Sequence, residues 1–249
     1  MRSIQIQLTP AAGKRLIAKA VVRRADVQKA LKDGKVLVIG GTTNTYVANE
    51  LLRCLGKDPC VTFPAFHRGV SYGPDAKPVQ AEPLGDLYID HGEVIFRDAL
   101  PEICAGMGTG DIIFKGVNAV HPATKTAGIL IGNTATGGTI MEAARAVYSR
   151  RAKLILPVGL EKRVELPAYE LERVLNDPEA AGLRFTAAPG EVFTEIDAIR
   201  LLTGCDAVLV GAGGVDGGEG CVYLQLSGGD LEAAQALAAQ VRHEPPVVC

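Results

Sequence analysis

Lys35-Val36-Leu37-Val38-Ile39-Gly40-Gly41-Thr42-Thr43-Asn44-Thr45-Tyr46-Val47-Ala48-Asn49-Glu50-Leu51-Leu52 decides how the rest of the chain is read. A run of aliphatic and β-branched residues stops at two glycines. Val47, Ala48, Leu51, Leu52 and Leu55 then recur at helical spacing. The pattern predicts a buried strand, a tight turn and an amphipathic helix whose first turn is crowded with hydroxyls. Unbonded N–H groups and the positive end of the helix dipole at such a turn suit an anion, most often a phosphate. The same letters also describe an ordinary turn capped by Thr or Asn. On the anion reading Gly40, Gly41, Thr42, Thr43, Asn44 and Thr45 are ligand-binding residues. No G-x-G-x-x-G follows the strand, so a dinucleotide is not expected.

Upstream, Ile4, Ile6 and Leu8 alternate with polar residues, the pattern of a strand and not of a signal-peptide core. Lys14 to Leu31 reads as one helix, with an apolar stripe through Leu16, Ile17, Ala20, Val21, Val27, Ala30 and Leu31. Gly34 stands where its C′ residue belongs. Downstream, periodicity is lost from Gly56 to Leu84, where prolines at 59, 64, 74, 78 and 83 mark an irregular excursion. His67 and Arg68 in that stretch either reach into a site or belong to a packed surface loop. Leu87–Ile89 and Val94–Phe96 predict a hairpin, and a short helix follows around Leu100–Cys104.

Asp111 to Lys115 is the next buried strand and ends at Gly116-Val117-Asn118. A helix from Thr139 to about Arg151 and a strand from Lys153 to Val158 follow. Strand, helix and strand in that order predict right-handed crossovers in a parallel sheet, and ligands of such sheets lie outside the carboxyl ends of the strands. Gly40–Thr45, Lys115–Asn118 and Val158–Lys162 are the loops at those ends, so all three converge on one crevice. Residues 1–178 are therefore expected to form an α/β core, a Rossmann-like, mainly parallel sheet with helices on both faces.

Residues 179–249 read as a small ferredoxin-like α+β subdomain. Its expected elements are strands Leu183–Ala187, Ala207–Val210 and Cys221–Leu226, and helices Thr194–Leu202 and Leu231–Val241. Asp197 completes a capping box with Thr194, the glycine-rich stretch 211–220 joins two strands, and Val247 and Val248 offer a final edge.

Within the crevice, Lys115 and Lys162 each follow a hydrophobic strand. A lysine there either neutralises a bound phosphate or carboxylate or snorkels from the strand end into water. Asn133, Thr134, Thr136, Gly137 and Gly138 repeat the hydroxyl-and-glycine chemistry before a second helix, in a place to hold the other end of one ligand. His121 could switch as an acid or base, although a histidine before Pro122 is more often a surface group.

The totals exclude several classes. A net charge of −2 over 249 residues gives no electrostatic case for nucleic acid or an anionic membrane. No apolar run approaches the ~20 residues of a membrane span, which leads to the expectation of a cytoplasmic protein. The six cysteines contain no C-x-x-C pair and the four histidines are scattered, so neither a metal nor another cofactor is expected. The expected partner is a small phosphorylated or carboxylated molecule.

Two stretches together resemble a known fold group. Ile39-Gly40-Gly41-Thr42-Thr43-Asn44-Thr45, followed by Val47-Ala48-Asn49-Glu50-Leu51, is similar to the G-T-T-T loop of sugar-phosphate-sensing DeoR-type regulators, and to the corresponding loop of ribose-5-phosphate isomerase and glucosamine-6-phosphate deaminase. Ile113 to His121, then Gly128-Ile129-Leu130, Glu142-Ala143 and Leu154 to Lys162 resemble that group's order of F-x-G-V-D-G-I-D, G-L-T, E-A and a strand ending near S-S-K. The resemblance covers about residues 10 to 165. It implies the isomerase/CoA-transferase superfamily, to which lactate-utilisation proteins also belong and whose segments recur in translation initiation factor 2B subunits. A small lid domain and a homo-oligomer are further implications.

Asn118 departs from this pattern, standing where the group usually has an aspartate, and so does His121. An isomerase needs a base that accepts and returns a proton, and an amide cannot serve. Glu142 is then the candidate catalytic carboxylate, with Lys115 beside it, unless Glu142 is only a solvated charge or cap contact. The CoA-transferase branch uses a glutamate nucleophile, for which Glu219 is the nearest candidate. Three readings stay open: a sugar-phosphate isomerase-like enzyme, a non-catalytic metabolite sensor, and a CoA-transferase-like or lactate-utilisation-like protein. A DNA-binding regulator is not expected, because the ~34 residues before the core show one helix and not a helix-turn-helix.

Overall fold

In chain order, the computed structural model begins with β1 (Ser3–Leu8), α1 (Pro10–Val21), α2 (Ala25–Asp33), β2 (Lys35–Val38) and α3 (Thr42–Cys54). It describes residues 2–68, 71, 72, 75, 77 and 81–246. The expected single helix over Lys14–Leu31 is two helices. Arg24 breaks it in an extended conformation (φ −63°, ψ 138°), with its guanidinium bonded to Asp26 at 2.8 Å and to Glu191. Asp26 sits in the first turn of α2, where an acid favours a helix start.

After the irregular stretch come β3 (Asp86–Asp90), β4 (Glu93–Arg97), α4 (Leu100–Ala105), β5 (Ile112–Phe114), β6 (Ala119–His121), β7 (Thr126–Ile131), α5 (Thr139–Arg150) and β8 (Lys153–Pro157). The β3–β4 hairpin turns at His91 and Gly92, both at positive φ. The chain continues through α6 (Ala168–Leu175), β9 (Arg184–Ala187), β10 (Glu191–Phe193), α7 (Glu195–Thr203), β11 (Asp206–Ala212), β12 (Val222–Ser227) and α8 (Leu231–Val241).

The central sheet has six strands in the order β10-β8-β5-β2-β3-β4. The first four are parallel to one another, β3 is antiparallel to β2, and β4 is antiparallel to β3. Successive side chains of a strand point to opposite faces, and here each face has its own core. Val36, Val38, Ile112, Phe114 and Ile155 pack with Leu16 and Ile17 of α1 and Val47 and Leu51 of α3. Leu37, Ile39, Ile113, Leu154 and Leu156 pack with Ile140 and Ala143 of α5 and with β7. Burial on both faces is why β2, β5 and β8 read as unbroken apolar runs.

The class is thus mixed α/β, with three sheets among the described residues. The two smaller ones, β6-β7-β9 and β1-β12-β11, are antiparallel throughout. The strands of residues 179–249 share sheets with earlier parts of the chain. The expected strands and helices are all found, yet β9 pairs with β7, β10 extends the central sheet beside β8, and β12 pairs with β1 over six residue pairs. Pairing partners are chosen by matched apolar faces far apart in sequence. Leu224 and Leu226 of β12 stand opposite Ile6 and Ile4 of β1, and local pattern does not reveal that choice. The edge expected at Val247 and Val248 lies outside the described residues. Among the described residues, no helix is long and apolar enough to cross a membrane.

Candidate functional site

The carboxyl ends of β2, β5 and β8 open on a cleft of about 620 Å³. Gly40 to Thr43 form one side of it. The Gly40 N–H donates to Asp86 Oδ1 at 2.9 Å, and a Cβ on Gly40 would lie 3.2 Å from the His67 backbone nitrogen. A side chain here would have to push the loop above it away by a few tenths of an ångström. No side chain caps the start of α3, where Gly41 is the N-cap. Thr43 lines the cleft, and its hydroxyl is buried and has no hydrogen-bond partner among the described residues.

Asn44 and Thr45, expected as ligand-binding residues, do not line the cleft. The Asn44 amide donates to the carbonyls of Ile39 at 2.7 Å and Phe114 at 3.1 Å, tying the ends of β2 and β5 together. Thr45 donates its hydroxyl to the Gly41 carbonyl at 3.0 Å. A residue's place on the turn of a helix decides which way it faces: Thr43 turns to the cleft while Asn44 and Thr45 turn to the scaffold.

Lys115, Gly116, Val117 and Asn118 form the floor. Asn118 lines the cleft but spends its amide oxygen on the Leu130 N–H at 3.1 Å, which fastens the β6–β7 hairpin. Lys115 is 7% exposed, and the only hydrogen bond its ammonium makes among the described residues is a long one, 3.4 Å to the Gly116 carbonyl. Burial brings its pKa down to about 8. Asp86 opposes that shift, and Lys162 and Arg68 add to it. Lys162 reaches the cleft from the turn after β8 and donates to the Val117 carbonyl at 2.8 Å. Burial lowers its pKa as well.

The far wall is β7 with the loop that follows it, then the start of α5. Gly137 (φ 71°) and Gly138 (φ 73°) both adopt the left-handed conformation that glycine accepts without strain. They lead into α5 with Gly138 as an N-cap and no capping side chain. The cleft therefore faces two uncapped helix starts. Ile129, Ile131 and Ile140 give it an apolar side.

Gly40, Gly41, Thr42, Thr43, Lys115, Asn118, Gly138 and Lys162 all line this one cleft. Glu142 does not join them: one turn into α5, it forms an ion pair with Arg145. His121, hydrogen-bonded to Thr124 on the β6–β7 turn, and Glu219, between β11 and β12, are also outside the lining. Arg68 lines the cleft and binds Asp86 at 2.8 Å. Asp86 itself was missed by sequence reasoning, because nothing in Gly85-Asp86-Leu87 distinguishes it from any strand start. It is fully buried, with one carboxylate oxygen unpaired. The lining contains three cations, Arg68, Lys115 and Lys162, and among the described residues no carboxylate. No group of His, Cys, Asp and Glu among the described residues could hold a metal ion.

Behind Lys162 lies a second buried ionic cluster. Glu195 is 1% exposed and accepts the Leu160 N–H at 3.0 Å. Burial, reinforced by the charge of Glu161, raises its pKa to about 8. Lys14 lies 3.2 Å from Glu161, close enough for ion pairing but without hydrogen-bond geometry. Compared with protein-family models, curated proteins and solved structures, the chain matches none.

Proposed function

We propose that the protein binds a small phosphorylated metabolite, a sugar phosphate, in the cleft at the ends of β2, β5 and β8. The observation that carries this reading is Thr43, whose buried hydroxyl has no partner among the described residues, at the uncapped start of α3 beside a cleft that Lys115 also lines. A buried polar group without a hydrogen bond costs about 1–3 kcal/mol, and an unpaired charge costs more. A phosphate would accept from the hydroxyl, the ammonium and the free N–H groups of the helix start together. Val117, Ile129 and Ile140 suit the carbon skeleton of such a ligand, and the second helix start suits a polar or anionic far end.

The four parallel strands β2, β5, β8 and β10, with cores on both faces, support a Rossmann-like reading of the central sheet and membership of the isomerase/CoA-transferase superfamily. Within that group, binding without isomerisation is favoured. Glu142 is paired with Arg145, and among the described residues the lining lacks a carboxylate to carry a proton between carbons, or to form a glutamyl ester with CoA. A cytoplasmic location accords with a phosphorylated ligand and with the free cysteines Cys54, Cys60, Cys104, Cys205 and Cys221.

Thermal unfolding in the presence of ribose 5-phosphate, inorganic phosphate and ribose tests the proposal. A ligand of the folded state raises the midpoint in proportion to the logarithm of its excess. The two phosphates should raise it and ribose should not. Equal effects of ribose and ribose 5-phosphate, or no effect of either phosphate, would count against the proposal.

A further inference from the structure

We propose that Lys115 is a nucleophile that forms an imine with the carbonyl carbon of the ligand, an open-chain aldehyde or ketone that also carries the phosphate. The inference rests on the phosphate reading of the same cleft and names the second functional group of its ligand.

The geometry is that of an amine kept available. Lys115 leaves β5 at the floor of the cleft, buried yet lining it. Its neighbour Lys162 is committed to the Val117 carbonyl at 2.8 Å, whereas Lys115 has only the 3.4 Å contact with Gly116. Among the described residues no carboxylate forms an ion pair with it. Asp86, the acid that most affects it, is already held by Arg68 and by the Gly40 N–H. Burial away from carboxylates and beside two other cations suits a bound anion, and it also lowers the proton affinity of the amine. A lysine used as a nucleophile gains its lone pair that way. With its pKa near 8, about a tenth of the amine is neutral at pH 7, against well under one in a thousand for an exposed lysine.

The step is balanced. The neutral amine adds to the carbonyl carbon, forming a C–N bond as the C=O π pair moves to oxygen. A proton passes from nitrogen to that oxygen to give a carbinolamine. Loss of water then gives the imine, so amine and carbonyl yield imine and one water with no change of oxidation state. The phosphate at α3 and the apolar wall would hold the carbonyl-bearing carbons over the floor.

Sodium borohydride, which delivers hydride to an imine and fixes it as a secondary amine, reads the step directly. The full chain is treated with dihydroxyacetone phosphate and borohydride, and adducts are mapped by mass spectrometry. Glycerol 3-phosphate, which has the phosphate and no carbonyl, is tested separately for thermal stabilisation. The expected result is one adduct per chain at Lys115, suppressed by inorganic phosphate and lost in Lys115→Arg and Lys115→Met. Circular dichroism establishes that both variants fold. Labelling of wild type should rise with a midpoint near pH 8, while labelling of surface lysines continues to rise above it. Stabilisation by glycerol 3-phosphate without an adduct, or with adducts spread over surface lysines, would overturn the imine and leave the phosphate site standing. Neither stabilisation nor adduct would overturn both.

Discussion

An ammonium buried without a carboxylate partner disfavours the folded state, because the unfolded chain lets water solvate it. Lys115 is in that position. Its pKa falls from 10.5 unfolded to about 8 folded, so below pH 8 it is charged in both states and its full cost, about 3 kcal/mol, is present. Between pH 8 and 10.5 the folded chain has released the proton and the unfolded chain has not, so this contribution to stability rises with pH. Lys115→Met should therefore stabilise the protein at pH 7, by about 2–3 kcal/mol in denaturant unfolding, while removing stabilisation by phosphate. Lower stability of the variant at pH 7 would mean that Lys115 has a partner in the folded state. Glu195 gives the opposite pH dependence. Its folded pKa of about 8 lies above the unfolded 4.5, so the folded chain keeps its proton longer and this contribution to stability falls from pH 4.5 to about 8. Glu195→Gln should match wild type near pH 4.5, and its stability advantage should grow up to about pH 8 and then level off. At this scale the sequence was legible where a polar residue lies within a few positions of the end of an apolar strand, as Lys115, Asn118 and Lys162 do. It was not legible at Asn44 and Thr45, whose direction depends on helix phase, or at Glu142, whose partner Arg145 is as close in sequence as any ligand role would be in space.

At the scale of elements, the cleft depends on how firmly the strand ends are joined. Parallel neighbours β2 and β5 are stitched at their carboxyl ends by the Asn44 amide, which bonds one carbonyl from each side. Asn44→Ala leaves the Ile39 carbonyl buried without this donor, while the Phe114 carbonyl keeps the Ile39 N–H at 3.0 Å. Removing the unpaired Asn44 Oδ1 offsets part of that loss, so a net destabilisation of about 1 kcal/mol is expected, with weaker phosphate affinity because the two loops separate. An unchanged unfolding midpoint would show that the strand ends hold without this stitch. A second element-level test lies at β7, where a Cβ on Gly128 would come within 2.2 Å of the Phe185 ring of β9. Gly128→Ala should cost about 1–3 kcal/mol through overpacking, read as a lower thermal midpoint. Elements with strong local signals were read well from sequence: the β3–β4 hairpin, the Thr194–Asp197 capping box and the alanine-rich α8. The short strands β6 and β10, three residues each, carry no period of their own and exist because a neighbour pairs with them.

For the whole molecule, the two ends of the chain are joined: β1 pairs with β12, and α8 follows directly. Each strand after residue 183 has a partner from before it or depends on one that does, as β11 depends on β12. Residues 179–249 expressed alone should therefore show no cooperative unfolding transition by circular dichroism, since β9, β10 and β12 would all lack partners. A fragment that unfolds cooperatively would restore the subdomain boundary expected from the sequence. Long-range partner choice is the part of this fold that local pattern could not supply, whereas the convergence of three loops on one cleft followed from strand order alone. That convergence is the central claim, and a crystal soaked with ribose 5-phosphate tests it most directly. Phosphate density is expected within hydrogen-bonding distance of the Thr43 hydroxyl, the first N–H groups of α3 and the Lys115 ammonium. Phosphate density elsewhere on the molecule, or an empty cleft at saturating ligand, would contradict it.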